Sequence, residues 1–194
     1  MARSVGIDRE RVVAVAAELA DEVGLEQLTL AQVAARLGVR LPSLYNHVEG
    51  LPGLRRELAL RGLRQLLERL GGAAIGKSGD AAMLAVGLAY RRFVLEHPGV
   101  YAATVRAPAP DDREVQQVSA AIVGVVLAVL EPYGLDEDAT IHAVRGLRSI
   151  AHGFATLELA GGFGIPLARD ESYLRLLRAY VAGLRAGAPA DPEE

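Results

Sequence analysis

Apolar residues recur at spacings of three and four along most of this chain, and short glycine-rich or polar breaks separate the apolar runs. This spacing gives each helix one apolar stripe, whereas a half-buried strand would alternate at every second residue. The pattern contains no convincing strand and no internal repeat. It predicts an all-α fold, a small N-terminal three-helix unit followed by a C-terminal helical bundle, with helices at about 8–23, 30–37, 41–48, 52–70, 80–96, 100–105, 113–132, 136–160 and 170–186.

The most informative stretch is 29–48, whose pattern predicts two short helices joined by a tight turn. Thr29, with Gln32 three residues later, has the arrangement of a capping box, which begins a helix. Gly38 can take the corner, because a residue without Cβ adopts a positive φ at little cost. Pro42 fits the first turn of the next helix, where its missing N–H is not needed. The stretch is therefore a helix-turn-helix candidate.

This stretch resembles the DNA-binding signature of the tetracycline-repressor-like (TetR) family. The order T-L-x-x-V-A-x-x-L-G-V-x-x-x-S-L-Y-x-H-V runs without a gap from Thr29 to Val48, and the Leu-Tyr-x-His ending is its most specific part. The resemblance implies a homodimeric, ligand-responsive regulator, most often a repressor, that binds a double-stranded DNA operator and is released by a small-molecule effector. It also implies that Thr29, Tyr45 and His47 contact backbone phosphates.

The second helix of the stretch has the layout of a recognition helix, which packs one face on its own domain and inserts the other into the major groove. Arg40 is suited to guanine or phosphate, and Ser43 and Asn46 are suited to base edges or phosphates. The alternative is that Tyr45 is a core aromatic and Arg40 a solvated charge. The candidate DNA-binding residues are Thr29, Arg40, Pro42, Ser43, Tyr45, Asn46 and His47.

Two positions depart from the family's pattern. Leu51 stands where the family usually has a lysine that contacts phosphate at the start of the fourth helix. Arg40 stands where a small polar residue commonly opens the turn into the recognition helix. One phosphate contact is lost and another gained on this interpretation, which changes the expected affinity and its salt dependence more than the fold.

Breaks in the helical pattern define the expected domains. The segment 71–80, GGAAIGKSGD, is glycine-rich and polar at its end, which favours a hinge. A DNA-binding domain is expected at 5–65, and a ligand-binding and dimerisation domain at 78–187. Within the latter, the helix at 113–132 is rich in Val and Ile, which favours a mostly buried position. The tail 188–194 has the composition of a disordered segment.

The helix at 136–160 carries an apolar stripe that is interrupted by small residues, which allow a second helix to approach closely. TetR-like proteins dimerise through their last two long helices, so the resemblance favours a homodimer seam over packing within one chain. The predicted dimer residues are Gly146, Ile150, Gly153 and Leu157, together with Leu174, Leu177, Val181 and Leu184 of the last helix.

The same helix carries a polar stripe that includes His152. The segment 148–154 resembles the WHG-type C-terminal domain of one branch of the family, with Arg148 at the tryptophan position. A ligand pocket is one interpretation, and a buried histidine hydrogen-bonded by a neighbouring helix is the other. The predicted pocket residues, suited to an apolar cavity between helices, are Met83, Tyr90, Phe93, Tyr101, His152 and Phe154.

An enzymatic alternative comes from the segment Gly71 to Ser78, which matches the phosphate-loop pattern G-x-x-x-x-G-K-S. A nucleotide hydrolase would use Lys77 and Ser78. Such a loop follows a buried strand, however, and the residues before Gly71 end a helical pattern. The four histidines lack a metal-ligand spacing, so no metal, no cofactor and no enzymatic activity are expected. A helical interaction module that has lost DNA binding is a further alternative.

Composition adds two constraints. The net charge of −3 does not favour nucleic acid, so DNA binding must depend on where individual charges lie. The chain has no cysteine, and its N-terminus lacks the apolar core of a signal peptide, which indicates a cytoplasmic protein. No uncharged apolar run reaches the length of a membrane span, so no membrane partner is expected.

Overall fold

The computed structural model describes residues 7–186, which contain α-helices, one short 3-10 helix and no strand. The all-α prediction is confirmed, while the tail predicted to be disordered, 188–194, lies outside the described residues. The helices are α1 (Arg9–Val23), α2 (Leu30–Leu37), α3 (Leu41–Leu44), α4 (Gly50–Ala74), α5 (Gly79–Glu96), α6 (Pro98–Thr104), α7 (Arg113–Leu130), α8 (Glu137–Leu159) and α9 (Arg169–Ala186); the 3-10 helix, Glu131–Tyr133, follows α7.

The helices form two compact units. Within the described residues, unit 1 comprises 7–64 and 97–116, and unit 2 comprises 65–96 and 117–186. Unit 1 therefore contains α6 and the start of α7, which the expected division assigned to the C-terminal domain. Two helices, α4 and α7, contribute residues to both units.

Unit 1 begins where the sequence predicts. The Asp8 carboxylate accepts a hydrogen bond from the N–H of Arg11 at 2.7 Å and so caps α1, and Gly24 ends the helix with φ +87°. A side-chain acceptor at this position satisfies an N–H group that the helix itself leaves unpaired. Apolar side chains of several helices then form the core of the unit, among them the fully buried Val12, Ala16, Leu28, Val33, Leu44, Leu54 and Leu58.

Helix α6 packs directly on the backbone of α1. A Cβ added at Gly99 would lie 1.9 Å from the carbonyl oxygen of Ala20, so only glycine permits this approach. One carboxylate oxygen of Asp21 accepts hydrogen bonds from the N–H groups of Gly99 and Val100 at 2.8 and 2.9 Å. The other oxygen lies 3.1 Å from His97 Nδ1. Asp21 therefore caps α6 from the neighbouring helix, which explains why α6 belongs to unit 1.

In unit 2, α9 packs on α5. The Leu177 side chain occupies the space left by Gly87, where an added Cβ would lie 2.8 Å from the leucine Cδ1. The Tyr173 hydroxyl donates a hydrogen bond to the Gly87 carbonyl at 2.7 Å. Burial raises the pKa of Tyr173 above its ordinary value, so this hydroxyl keeps its proton and remains a donor. Leu177 and Tyr173 thus anchor α9 within its own chain.

Two helices differ from the predicted pattern. Helix α4 continues through the two glycines at 71–72 to Ala74, so the predicted hinge shortens to residues 75–78. Helix α7 was expected to be mostly buried, but only 22% of its most apolar window is buried, and Val123 and Leu127 are exposed. Together with the 3-10 helix, α7 is long and apolar enough to cross a membrane. That test uses length and composition alone, and core helices of soluble proteins also pass it.

Candidate functional site

The helix-turn-helix prediction is confirmed at the start of α2. The N–H of Gln32 donates to Thr29 Oγ1 at 3.2 Å, and the N–H of Thr29 donates to Gln32 Oε1 at 2.8 Å, which is a complete capping box. The Thr29 hydroxyl also donates to Gln32 Oε1 at 2.9 Å. The hydroxyl predicted to contact phosphate is therefore already engaged in holding the helix start.

The turn between α2 and α3 has the geometry that its sequence predicts. Gly38 is left-handed, with φ +68° and ψ +29°. Its N–H donates to the Ala35 carbonyl at 3.1 Å, and the N–H of Val39 donates to the Ala34 carbonyl at 3.0 Å. This pair of bonds is a Schellman motif, which satisfies the last carbonyls of α2 and reverses the chain. The turn fixes the direction in which α3 leaves the corner.

Helix α3 is shorter than predicted, and a tighter turn follows it before Val48. Regular α-helix covers only Leu41–Leu44, after which the N–H of His47 donates to the Leu44 carbonyl at 2.9 Å in a tighter turn. Leu44 is completely buried, whereas Tyr45 is 58% exposed and Leu41 is also exposed. Tyr45 is thus not a core aromatic, because burial of Leu44 and Val48 turns its ring outward.

The predicted DNA-binding residues lie together on the surface of unit 1. Thr29, Arg40, Pro42, Tyr45 and Asn46 are exposed, and Ser43 and His47 are half-buried. Arg40 forms no ion pair with any residue in the range 7–186, so its guanidinium is available to an anion. This exposed position agrees with both interpretations of Arg40, as a solvated charge and as a residue that contacts DNA.

A cleft of about 470 Å³ adjoins the end of α3. Its walls combine the end of α3 with the first residues of α1 and the early turns of α4. The lining residues are Arg9, Tyr45, Asn46, His47, Val48, Glu49, Gly53, Arg56 and Glu57. Three of the predicted DNA-binding residues thus share one depression with two arginines that the sequence analysis did not select.

Those two arginines belong to an ion-pair network. Arg9 pairs with Glu57, and Arg56 lies 3.0 Å from the same Glu57 carboxylate. Arg56 also donates to both oxygens of Asp112, at 2.6 and 2.7 Å, and to Glu114 at 3.0 Å. The hydrogen bonds to Asp112 and Glu114 raise the pKa of Arg56, and the hydrogen bond from Arg56 lowers the pKa of Asp112. Arg56 is therefore saturated by carboxylates, whereas Arg9 pairs with a single carboxylate among residues 7–186.

The predicted dimer residues divide into two groups. Leu177 and Val181 are buried in the chain's own core, so they offer no surface to a partner. Gly146 is also used internally, because an added Cβ there would lie 2.6 Å from the Tyr180 hydroxyl of α9. These three assignments are corrected: the small and apolar positions serve α5–α9 and α8–α9 packing. Outside the core remain Ile150, Gly153, Leu157, Leu174 and Leu184.

The predicted pocket residues are distributed over both units. Tyr101 belongs to unit 1 and the other five to unit 2. Met83, Tyr90 and Phe93 are buried core residues of α5, and His152 is half-buried. Phe154 lines a cavity of about 270 Å³ in the segment that joins α8 to α9; its other lining residues are Gly162, Phe163, Gly164, Ile165, Leu167, Arg169 and Ser172.

Beside this cavity lies a buried charge that the sequence analysis missed. The Arg91 side chain is 9% exposed and donates to both oxygens of Glu158, at 2.8 and 2.9 Å, and to Asp170 at 2.8 Å. Burial alone would lower the pKa of Arg91, but these hydrogen bonds raise it. Its guanidinium carbon lies 5.4 and 5.2 Å from the ring centroids of Phe154 and Tyr173. Arg91 lies four residues after the buried Gly87, on the same face of α5, and this spacing was the signal in the sequence that could have predicted its burial.

The phosphate-loop alternative finds no support. Residues 71–74 are the last turn of α4, and the Lys77 ammonium donates to the Ala73 carbonyl at 3.1 Å. No strand precedes the segment within residues 7–186, so the backbone N–H groups do not form a phosphate cradle there. Lys77 instead caps the end of a helix.

Known proteins resemble this chain along almost its whole length. A family model described as tetracyclin repressor-like, C-terminal domain, matches residues 83–180. The chain is 38% identical over 189 residues to the HTH-type transcriptional regulator YobS of Bacillus subtilis, covering 95% of this chain and 96% of the relative. It is 36% identical over 162 residues to the HTH-type transcriptional regulator Rv0681 of Mycobacterium tuberculosis, covering 83% and 74%.

Solved structures share the fold. A TetR variant from Acinetobacter baumannii AYE in complex with minocycline superposes with a TM-score of 0.73 at 20% identity, covering 95% of this chain and all of that one. A protein of unknown function from Rhodococcus sp. RHA1 superposes with a TM-score of 0.78 at 22% identity, covering 94% and 97%. At these identities the likeness establishes the arrangement of helices and nothing about ligands.

Proposed function

Because this chain belongs to the TetR family of helix-turn-helix transcriptional regulators, we propose that it binds a double-stranded DNA operator as a homodimer and acts as a repressor that a small molecule releases. One observation carries the DNA-binding part. Tyr45 is 58% exposed next to the completely buried Leu44, at the end of α3, which follows the capped helix α2 and the Gly38 turn. An exposed aromatic at this point has a free hydroxyl to donate to a phosphate.

The residues of the interface take two kinds of role in this proposal. Tyr45 and His47 donate to phosphate oxygens, which sets the register of the protein on the duplex. Arg40 and Asn46 are exposed beside them and reach base edges or neighbouring phosphates. Regular helix covers only four residues of α3, so few side chains can enter the groove. We therefore expect specificity to depend on a small number of base contacts in each half-site.

The proposed dimer uses the outer faces of α8 and α9. On these helices Leu157 and Leu176 are exposed apolar side chains, and Gly153 has open space where a Cβ would be. Two subunits would place their recognition helices one helical turn apart, about 34–36 Å, on a near-palindromic operator. Leu157→Glu should weaken the dimer by placing a charge in the seam, and light scattering after gel filtration measures it. A wild-type monomer at micromolar concentration would contradict this assignment.

The effector is proposed to bind in unit 2. The cavity lined by Phe154 and Phe163 is mainly apolar, with Arg169 at its edge. An effector in this cavity could release the operator only if it binds the DNA-competent and the released conformations of the protein with different affinities. Helix α4 contributes residues to both units and is the candidate link between the events. Phe154→Ala should abolish release by any effector found in a screen, without weakening DNA binding in its absence.

The test of the DNA-binding proposal is a selection from a random duplex pool, followed by fluorescence anisotropy on an enriched duplex and a scrambled one. We expect selective binding that weakens with salt and is lost in Tyr45→Ala. Ile75→Ala is the matched control, because Ile75 is an exposed large side chain of unit 2. If the pool yields no enriched sequence, the interaction-module alternative replaces this proposal.

A further inference from the structure

The two arginines of the cleft beside α3 have different surroundings, and Arg9 is the more exposed of the two. Arg9 lies in the first turn of α1, and its side chain is 61% exposed. It shares the cleft with Tyr45 and His47, the two residues proposed to contact DNA phosphates. Its only ion-pair partner among the described residues is Glu57. An exposed cation therefore lies beside the proposed phosphate contacts.

We propose that Arg9 is a phosphate clamp: on DNA binding its guanidinium leaves Glu57 and binds the stretch of DNA backbone contacted by Tyr45 and His47. This inference rests on the proposed function. Leu51, at the start of α4, carries no charge, so the cleft has no lysine for this contact. Arginine suits the role, because its planar fork can bind two phosphate oxygens at once.

The exchange of partners costs little because Glu57 has a second cation. Arg56 lies 3.0 Å from the Glu57 carboxylate, so Glu57, which is only 14% exposed, stays paired when Arg9 leaves. Arg56 itself cannot follow, since Asp112 and Glu114 also hold it. The Arg9 side chain is 61% exposed, so water screens its pair with Glu57 and replaces part of what is lost when the two separate. Glu57 thus keeps Arg9 in the cleft until a phosphate replaces it.

Salt dependence tests the clamp directly. Each phosphate neutralised by an arginine contributes about −0.9 to the slope of log affinity against log salt. Arg9→Ala should therefore make the slope shallower by about 0.9 for each subunit bound. It should weaken binding to an enriched duplex and a scrambled duplex by the same factor, because phosphate contacts carry no sequence information. Arg11→Ala is the matched control, since Arg11 is exposed on α1 outside the cleft.

A second pair of variants separates a clamp from a structural ion pair. If the Arg9–Glu57 pair merely holds α1 against α4, then Glu57→Gln should weaken DNA binding as Arg9→Ala does. A clamp predicts the opposite sign: Glu57→Gln releases Arg9 and strengthens binding. Glu49→Gln removes a carboxylate from the same cleft that has no pair with Arg9. In the Arg9→Ala background Glu57→Gln should increase DNA affinity less than it does in the wild-type chain. Any increase in DNA affinity caused by Glu49→Gln should be the same in both backgrounds.

The outcomes are distinguishable. If the wild-type chain enriches no duplex, the proposed function fails and the clamp fails with it. If the wild-type chain binds selectively but Arg9→Ala keeps the wild-type slope, the clamp alone is overturned and the regulator stands. Weaker binding by both Arg9→Ala and Glu57→Gln also overturns it in favour of a structural pair. A shallower slope in Arg9→Ala, with tighter binding by Glu57→Gln, establishes it.

Discussion

Replacing Glu158 by glutamine removes one negative charge. It leaves Asp170 as the only carboxylate paired with the buried Arg91 among residues 7–186. The side chains of Arg91 and Glu158 are 9% and 11% exposed and are joined by two hydrogen bonds of 2.8 and 2.9 Å. The remaining partner, Asp170, is 85% exposed and therefore screened by water. The substitution keeps the shape of the side chain, so its effect measures the charge.

The expected cost follows from these contacts. Breaking a buried ion pair from one side costs about 3–5 kcal/mol, because the other charge stays in the interior. Asp170 and the ring faces of Phe154 and Tyr173 still stabilise the Arg91 cation, which places the expected loss near 2–3 kcal/mol. For a chain of this length each kcal/mol corresponds to about 2–4 °C in Tm. We therefore expect Tm to fall by about 4–12 °C.

The assays are thermal unfolding for Tm and urea unfolding for the free energy, both followed by circular dichroism at one fixed protein concentration, because oligomerisation makes apparent stability depend on concentration. Glu171→Gln is the matched control: Glu171 accepts from Arg175 at 2.8 Å, but both side chains are exposed, and the loss should be about 0.5 kcal/mol or less. Arg91→Met combined with Glu158→Leu removes both charges and should recover most of the loss. Equal losses for Glu158→Gln and Glu171→Gln would refute the argument from burial.

Three further predictions concern packing and pH. Gly99→Ala places a Cβ against the backbone of α1 and should cost about 2–3 kcal/mol in urea unfolding, whereas Gly124→Ala, in open space, should be neutral or stabilising. The Arg56 guanidinium lowers the pKa of Asp112, so the ionised carboxylate stabilises the fold at pH values above its ordinary pKa of about 3.8. This contribution is lost as the pH falls through the lower pKa of the folded state. Asp112→Asn should therefore make the free energy of unfolding depend less on pH in the acid range. Burial raises the pKa of Tyr173, so its contribution is present below pH 10 and is lost on titration at higher pH; Tyr173→Phe should remove that alkaline loss and cost about 1–2 kcal/mol near neutral pH.

Local signals in the sequence predicted the helix ends and the helix-turn-helix. The Asp8 cap, the Thr29–Gln32 box and the Gly38 corner each involve residues within four positions of one another. Their geometry depends on backbone conformation and on short-range hydrogen bonds, which are the same in any tertiary setting. The resemblance of this stretch to one family then predicted the fold and the position of the proposed DNA-binding surface.

The partner of an apolar stripe was not predictable in this way. Leu177 and Val181 lie at the spacing of a dimer seam, yet both are buried within the chain, and Leu177 packs against Gly87 of α5. A stripe records that a face is buried and does not record whether the covering helix comes from the same chain or from a second copy. The ion-pair network could not be predicted from the sequence for a related reason, since its members Arg56 and Asp112 are 56 residues apart.

The distribution of ion pairs explains how a chain of net charge −3 can present a DNA-binding surface. In unit 1 five of the ten described arginines are paired with carboxylates, among them Arg36 with Glu22, Arg55 with Glu26 and Arg56 with Asp112. These pairs neutralise both partners and add almost nothing to the potential that a phosphate meets. Arg40 is unpaired within residues 7–186, and Arg9 can exchange its carboxylate. In the proposed complex Arg40 and Arg9 supply two cations per subunit, and neutral donors such as Tyr45 release no counterions when they bind phosphate. In a dimer these four cations would contribute about −3.6 to the salt slope.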